Sequence, residues 1–388
     1  MKYIDNVSKK RIVFTWLCEH LPNRIRPLLY LKPCAFSIKY RYIVSKTLNR
    51  YDNKDIKNID LWKKSYKKLC MHGKEYLEEA KIFFETDILE EKKSERKPSE
   101  DSLILVLIVK NDLVRLKAFL KYYRGLGVSK FIVLDDKSTD GTFNFLYNQN
   151  DVDLYTSSMK YSTLGRQAWI SRFVDLYGFN RWYLIVDSDE FISYSGMEKI
   201  KLNQLISILE NDKRNVLRMM LLEMYPKYDI LTIDDIDENN IQSVYTYFDK
   251  KGYKKKYTNI FTCIVGGVRC RTFYNGNYTD SPYLTKYPLI KMKEGMIPCH
   301  SHMNFPFNVN RDIPLSGCIL HYKFLPQDIG KYKERIKKRN FQSGSKEYRK
   351  YFDVISSNGK LIMYDEDFSM KYEDSSSLNI FEIEKFVK

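Results

Sequence analysis

The sequence lacks three features that would place it in a familiar class of protein. Its seven cysteines are dispersed and include no CxxC pair, which fits reduced thiols better than a disulfide framework. No run approaches the roughly 18–20 apolar residues of a membrane-spanning helix, and the longest, Leu103 to Val109, has the length of a strand. Charges interrupt the amino-terminal stretch, so no clean secretory signal is present. These absences predict a cytoplasmic protein and leave contact with the inner face of the membrane open.

Positive charge and apolar surface are both plentiful. The chain has 388 residues, a formal net charge of +16 and a hydrophobic fraction of 44%. That fraction supports a sizeable core and argues against wholesale disorder. The charge favours anionic partners, namely nucleic acid, phosphorylated ligands or an anionic membrane surface.

Strand and helix patterns alternate in the first half of the chain. Apolar runs typical of strands begin at Leu103, Lys130, Val152 and Arg181, and segments with helical spacing separate them. Because the runs are unbroken, as in strands covered on both faces, we predict a mainly parallel α/β sheet flanked by helices. Beyond Ser195 the pattern indicates short strands in a mixed or antiparallel second half.

The composition predicts three parts. Residues 1–95 form a helical amino-terminal region that ends in a linker, since the stretch from Glu90 to Asp101 is dense in charge and holds Pro98. An α/β domain spans residues 102–324, and a basic helical tail spans residues 325–388.

Polar residues, many of them acidic, follow three of the predicted strands: Lys110, Asn111 and Asp112, then Asp135 and Asp136, then Asp187, Asp189 and Glu190. Ligands of open parallel sheets bind outside the carboxyl ends of the strands, so these residues predict the ligand site. Arg166, which opens a predicted helix, could reach a phosphate there. The plainer interpretation of Arg166 is a surface arginine in a first helical turn.

Asp187 and Asp189 form a DxD pair at the end of an apolar run. On an extended segment both carboxylates face one direction, and at about 4 Å they repel by about 4 kcal/mol at an effective dielectric constant of about 20. Water, a shared proton or a divalent cation could offset this repulsion. Carboxylate oxygens suit Mg²⁺ or Mn²⁺, whose open positions phosphate oxygens commonly fill. The competing interpretation is a solvated acidic turn.

The motifs "LIVKNDLVRLKAFLKYYRGLG", "FIVLDDKSTDGT" and "RWYLIVDSDEFI" give the chain a family resemblance. The segment from Leu103 to Phe191 resembles the family-2-like glycosyltransferases of bacterial surface-polysaccharide clusters. The resemblance continues more loosely as far as "GSKEYRKY" and leaves about the first ninety residues outside. It implies the GT-A fold, a Rossmann-like mixed sheet that binds nucleotide sugars, here with a helical amino-terminal extension.

The resemblance also implies roles for individual residues. Lys110, Asn111 and Asp112 would pack around the nucleotide, and Asp135 or Asp136 would contact its base or ribose. The family often has Asp-Asn at this last place, so Asp136 departs from its pattern. Asp187 and Asp189 would hold Mn²⁺ or Mg²⁺ with the donor's diphosphate, and His321 would complete the metal site.

The implied reaction is inverting transfer of a sugar from a nucleotide-sugar donor, UDP-linked by resemblance, to a hydroxyl of a glycan or lipid-linked acceptor. The setting would be synthesis of capsule, lipopolysaccharide or exopolysaccharide. A carboxylate general base would take the hydroxyl proton. The candidates, in order, are Glu223, Glu294 and Glu190, and the plainer interpretation of Glu223 is an exposed acid at a strand end.

Two alternatives compete with this interpretation. Cys299, His302, Cys318 and His321 supply ligand types for a structural zinc site. A non-catalytic protein that binds nucleic acid or a membrane surface would also explain the charge. Because the basic residues are spread out and no helix-turn-helix, zinc-finger or RNP signature occurs, we expect no specific nucleic-acid partner.

Overall fold

A computed structural model describes residues 1–3, 31–85, 88–94, 98–99, 102–234, 236–258, 262–300, 302–310, 313–338 and 342–386. Over these ranges the chain has a mixed α/β fold built on two main sheets. Within the same ranges, no helix combines the length and the apolar character needed to cross a membrane.

Helices and strands are numbered in chain order. The first half contains β1 (Lys2–Tyr3), α1 (Ile38–Asn49), α2 (Ile59–Cys70), α3 (Glu75–Phe84), β2 (Glu90–Lys93), β3 (Ile104–Val109), α4 (Leu113–Gly125), β4 (Lys130–Asp135), α5 (Thr142–Tyr147), β5 (Val152–Thr156), α6 (Thr163–Tyr177), β6 (Arg181–Ile185) and β7 (Glu190–Tyr194). The second half contains α7 (Leu202–Asn211), β8 (Arg218–Glu223), α8 (Ile241–Val244), β9 (Tyr247–Asp249), β10 (Tyr253–Tyr257), β11 (Thr262–Gly266), α9 (Gly267–Phe273), β12 (Thr285–Lys286), β13 (Leu289–Met292), β14 (Ile297–His300), β15 (Met303–Phe305), β16 (Leu315–His321), α10 (Asp328–Lys338), α11 (Gln342–Asn358) and β17 (Ser369–Lys371).

The first sheet contains the strands that the sequence predicts. Its order is β13-β6-β3-β4-β5-β2, and the four central strands run parallel. Unbroken apolar runs form these strands because helices cover both faces of the sheet. The edge strand β2 pairs antiparallel to β5, so the polar segment predicted as a linker begins as part of the sheet. Val109 pairs with Asp135, which brings the loops after β3 and β4 to the same edge.

The second sheet has the order β12-β8-β16-β7, in which β16 runs parallel to β8 and antiparallel to β7. The chain crosses from the first sheet to the second between β6 and β7, which is where the DxD pair lies. In the register of the second sheet, His321 is opposite Glu190 on one side and Glu223 on the other. Three titratable residues from distant parts of the sequence therefore lie side by side.

The amino-terminal helices pack on α6, and their apolar residues share a core with one face of the first sheet. Asp175 of α6 provides a polar link between the two parts. Its carboxylate accepts hydrogen bonds from the backbone N–H groups of Lys57 and Asn58, at 2.8 and 3.1 Å, and from Trp62 Nε1 at 2.9 Å. This carboxylate satisfies donors at the start of α2 that the helix itself cannot pair.

The carboxyl-terminal tail packs against the core through Tyr351, Met363 and Leu378, which are fully buried. It contains helices α10 and α11 and strand β17, which pairs with β9. The division of the chain at residues 95, 102 and 324 stays a prediction.

The second half, for which the sequence pattern indicates short strands, also contains helices. One of them, α9, occupies most of the stretch from Gly266 to Asn275. Gly266 and Gly267 have φ angles of 120° and 64°, a region that glycine enters easily, and they turn the chain from β11 into the helix. Val268 and Phe273 then face the core.

Candidate active site

A cleft of about 1090 Å³ opens at the carboxyl ends of β3, β4 and β6, where the two sheets meet. Parts of both sheets line it, together with the first turn of α10 and residues 346–350 of α11. Nine of the predicted site residues are among the lining residues: Lys110, Asn111, Asp112, Asp136, Arg166, Asp187, Asp189, Glu190 and His321. The location agrees with the rule that open parallel sheets bind ligands at this edge.

The DxD pair lies on a turn, and the expectation of an extended segment is wrong. Strand β6 ends at Ile185, and Glu190 N donates a hydrogen bond to Asp187 O over 3.0 Å, which closes a turn over these four residues. The chain must reverse here to enter the second sheet. Asp187 and Asp189 consequently have different partners.

Asp187 is paired with two cations. Its Oδ1 lies 2.7 Å from Arg166 Nη2, and its Oδ2 lies 3.3 Å from Lys286 Nζ. Burial alone would raise the pKa of Asp187, but Arg166 and Lys286 outweigh it and hold the pKa below the ordinary value. Lys286 also forms an ion pair with Glu190, so it bridges two acids of the cleft.

Asp189 faces His321 instead. The distance from Asp189 Oδ2 to His321 Nε2 is 3.2 Å, and Asp189, Glu190 and His321 each place one ligand atom within 4.8 Å of the others. In the part of the chain that the structure describes, no other group of three or more His, Cys, Asp or Glu residues converges in this way. Two carboxylates and one imidazole suit a divalent ion, and the nitrogen donor favours Mn²⁺ over Mg²⁺.

The zinc alternative finds no support in this arrangement. Cys318 and His321 are three residues apart on strand β16, so their side chains point to opposite faces of the sheet. Cys299 Sγ donates to Met303 O, and His302 Nδ1 lies 2.7 Å from Thr285 O. Within the described ranges, these four residues form no common cluster.

Glu223 lies behind His321 and outside the cleft lining. It is buried, its Oε1 is 3.0 Å from His321 Nδ1, and the same oxygen is 2.7 Å from Arg269 Nε. Burial alone would lower the pKa of His321, but Glu223 and Asp189 together raise it to about 9. Glu223 thus orients the imidazole and does not face the space where an acceptor hydroxyl could bind.

The other two candidates for the base lie in contrasting places. Glu190 is 1% exposed and lines the cleft, and burial raises its pKa although Lys286 opposes that shift. Glu294 is exposed on the turn after β13. Since Met292 pairs with Arg181 at the start of β6, Glu294 lies beyond the end of that strand opposite the cleft. The structure does not bring Glu294 to the site.

The loops after β3 and β4 hold each other in place at the cleft. Lys110 Nζ is 3.1 Å from Asp136 Oδ2, and Thr139 N donates to Asn111 Oδ1 over 2.6 Å. Asn111 has a φ of 49°, in the left-handed region that asparagine tolerates better than most residues. Of the two acids after β4, Asp136 lines the cleft, whereas Asp135 is buried and accepts a hydrogen bond from Ser138 N at 2.9 Å.

Several basic residues of the cleft lining were not predicted from the sequence, among them Arg115, Arg269 and Lys286. Arg115 Nη1 lies 2.7 Å from Asp112 Oδ1, and its guanidinium forms a second ion pair with Asp328. Arg115 and Asp328 are 213 residues apart, and Lys286 and Asp187 are 99 apart. In the sequence, each of these three basic residues stands in a largely apolar stretch. Such a pattern does not identify the acidic residue with which it pairs.

Comparisons with known proteins give little. No family model and no curated protein matches the sequence. Among solved structures, TarS 1-349 of S. aureus is similar at 16% identity and a TM-score of 0.22, over 37% of this chain and 50% of that one. HddC of Yersinia pseudotuberculosis is similar at 12% identity and a TM-score of 0.23, over 34% of this chain and 64% of that one. The matches span less than two thirds of either protein, and scores this low carry no argument.

Proposed function

We propose that the chain is a metal-dependent glycosyltransferase of GT-A type. It would move a sugar from a nucleotide-sugar donor, UDP-linked by resemblance, to a hydroxyl of a glycan or lipid-linked acceptor, with inversion, in synthesis of a bacterial surface polysaccharide. The observation that carries the proposal is the convergence of Asp189, Glu190 and His321 in a cleft at the carboxyl edge of a parallel sheet.

The cleft supplies suitable groups for each part of such a donor. Asp136, Lys110 and Asn111 form the rim where the nucleoside would bind, as the resemblance implies for this loop. Arg166 and Lys286 lie next to Asp187 and would contact diphosphate oxygens through charge-assisted hydrogen bonds. The sugar would then lie toward Glu190 and His321.

Asp189 and His321 would hold the divalent ion, and Glu223 would fix the orientation of the imidazole from behind. When bound, a divalent ion stabilises the negative charge that develops on a departing diphosphate. With only two protein ligands it keeps positions open for phosphate oxygens and water.

Glu190 is our candidate for the general base. It is the one of the three predicted glutamates that lines the cleft, and its raised pKa makes it a stronger base than an exposed glutamate. Glu190 would accept the proton of the acceptor hydroxyl as that oxygen attacks the anomeric carbon and the diphosphate leaves from the opposite face. Lys286 would hold the Glu190 carboxylate in place.

A panel of nucleotide sugars with Mn²⁺ tests the proposal, with the thermal shift of the purified protein and slow donor hydrolysis as readouts. We expect one nucleotide class to raise the melting temperature only when metal is present, and Asp189→Ala to abolish both signals. Asp60→Ala, at an exposed aspartate in the first turn of α2, is the matched control. If Asp189→Ala hydrolyses the donor at the full rate, Asp189 does not hold a catalytic metal ion. Steeply salt-dependent nucleic-acid binding without metal would instead favour the non-catalytic alternative.

A further inference from the structure

Large apolar side chains are exposed together at the start of the amino-terminal helical region. Among the residues that the structure describes, eight large hydrophobic side chains are exposed, and four of them lie between Phe36 and Ile43. The exposed fractions are 68% for Phe36, 85% for Ile38, 62% for Tyr42 and 41% for Ile43. Single exposed hydrophobic residues are ordinary, but a cluster within the first two turns of a helix and the residues before it calls for an explanation.

Helix α1 has two apolar faces. Tyr40, Val44 and Leu48, spaced four residues apart, are buried against α2 and α3. At about 100° per residue, Ile38 and Tyr42 project roughly half a turn away from that buried stripe. The packing of α1 against α2 and α3 therefore does not use the outward apolar face.

The segment that carries this face has charge of one sign. Residues 31–50 contain no aspartate or glutamate and carry five cations: Lys32, Lys39, Arg41, Lys46 and Arg50. Of these, Lys32 lies 3.8 Å from Glu75 of α3. Lys39 and Lys46 are exposed on the outward side of α1, and Lys46 Nζ lies 5.7 Å from the centre of the Tyr42 ring. We refer to Phe36, Ile38, Lys39, Tyr42, Ile43 and Lys46 as the docking face.

We propose that the docking face binds an anionic lipid bilayer, with α1 lying in the plane of the headgroups. Apolar side chains flanked by lysines, with a tyrosine between the two environments, match an interfacial helix. A protein groove would need acidic groups to complement the two lysines of the docking face, whereas an anionic leaflet supplies negative charge over its whole area. The basic tail is a poorer choice, because Lys331, Lys346 and Lys350 line the cleft and Lys331 already pairs with Asp112 and Asp328. This inference is independent of the proposed enzymatic activity.

Vesicle co-sedimentation of the full chain tests it. The probes are vesicles of phosphatidylcholine alone and vesicles that contain about 30% phosphatidylglycerol. We expect binding to the anionic vesicles, weaker binding to the neutral ones, and weakening by salt. The double variant Ile38→Ser with Tyr42→Ser should reduce partitioning on the order of tenfold or more, because two apolar side chains no longer leave water. Lys39→Glu with Lys46→Glu should abolish the preference for anionic vesicles.

A matched control is available on the same molecule. Tyr228 and Ile362 are 71% and 47% exposed and lie outside the docking face. Tyr228→Ser with Ile362→Ser should leave vesicle binding unchanged, and near-ultraviolet circular dichroism should show native packing in every variant.

Three results would overturn the proposal. Failure of the unaltered chain to bind anionic vesicles would exclude a membrane role for this face. Unchanged binding by Ile38→Ser with Tyr42→Ser would place the contact elsewhere on the chain. Light scattering that shows a dimer in the unaltered chain and a monomer in that variant, without vesicle binding, would assign the face to a second copy.

Discussion

The two aspartates of the DxD turn should differ sharply in their importance for metal binding, although the motif treats them as a pair. We compare Asp187→Asn with Asp189→Asn, which keep the side-chain shape and remove the charge. Both oxygens of Asp187 are bound by cations, at 2.7 Å to Arg166 and 3.3 Å to Lys286. A hydrogen bond to a charged group contributes about 1.5–3 kcal/mol. An ion that binds one Asp187 oxygen must break such a bond, and this cost lowers the affinity of Asp187 for the ion roughly ten- to hundredfold.

Asp189 differs, because its partner, His321, becomes a ligand itself when it loses its proton, whereas Arg166 and Lys286 cannot. We therefore expect Asp189→Asn to weaken Mn²⁺ affinity by about a hundredfold or more, since a ligand should matter at least as much as the outer partners whose loss costs up to about a hundredfold. Asp187→Asn should weaken it by less than about threefold (roughly 0.65 kcal/mol). Calorimetric titration of Mn²⁺ in the presence of a nucleoside diphosphate measures both. Equal losses in the two variants would refute this reasoning and show that the ion displaces Lys286 to bind both aspartates.

Three further predictions concern stability and the support of the site. Burial raises the pKa of Glu79 well above its usual value, so the native state keeps a proton that the unfolded chain releases near pH 4.5. The free energy of unfolding therefore falls as the pH rises from about 4.5 toward the pKa of Glu79 in the native state. Glu79→Gln should flatten the melting temperature between about pH 5 and pH 8, and an unchanged slope would contradict this. Arg115→Met leaves Lys331 as the remaining cation beside the buried carboxylates of Asp112 and Asp328, and it should lower the free energy of unfolding by about 3 kcal/mol, read from the urea midpoint. Glu223→Gln should weaken Mn²⁺ binding about 10–100-fold, because Glu223 positions His321. The variant should regain activity at high Mn²⁺ concentration. A loss of activity that saturating Mn²⁺ does not restore would argue against this role.

Sequence patterns predict the parallel sheet well because its strands are nearly continuous apolar runs. The predicted run from Leu103 to Val109 corresponds to β3, and those that begin at Lys130, Val152 and Arg181 correspond to β4, β5 and β6. Once these strands are parallel, the residues that follow them must meet at one edge. That geometric consequence, more than any single motif, is why nine predicted residues line one cleft.

The pairing of side chains inside the cleft could not be predicted in the same way. An apolar run does not reveal that the chain leaves the first sheet after Ile185, and so the extended DxD segment was a wrong expectation. Glu294 shows the same limit, because only the antiparallel register of β13 places it at the far end of the sheet. Lys286 reaches the acids through β12, whose position depends on pairing with β8. Each of these outcomes is set by contacts between residues distant in sequence.

The electrostatics of the finished site give a reason for which acid remains accessible to an ion. Arginine neutralises Asp112 and Glu223, and arginine and lysine together neutralise Asp187. Neither guanidinium nor ammonium has a lone pair to offer, so an ion that enters any of these pairs must expel a cation into a confined space. Asp189 is paired with a histidine, and an ion that enters between them gains two ligands once the imidazolium releases one proton to solvent. This acidic cleft in a basic protein therefore contains one pair that an ion can enter, Asp189 with His321, among several pairs that exclude it.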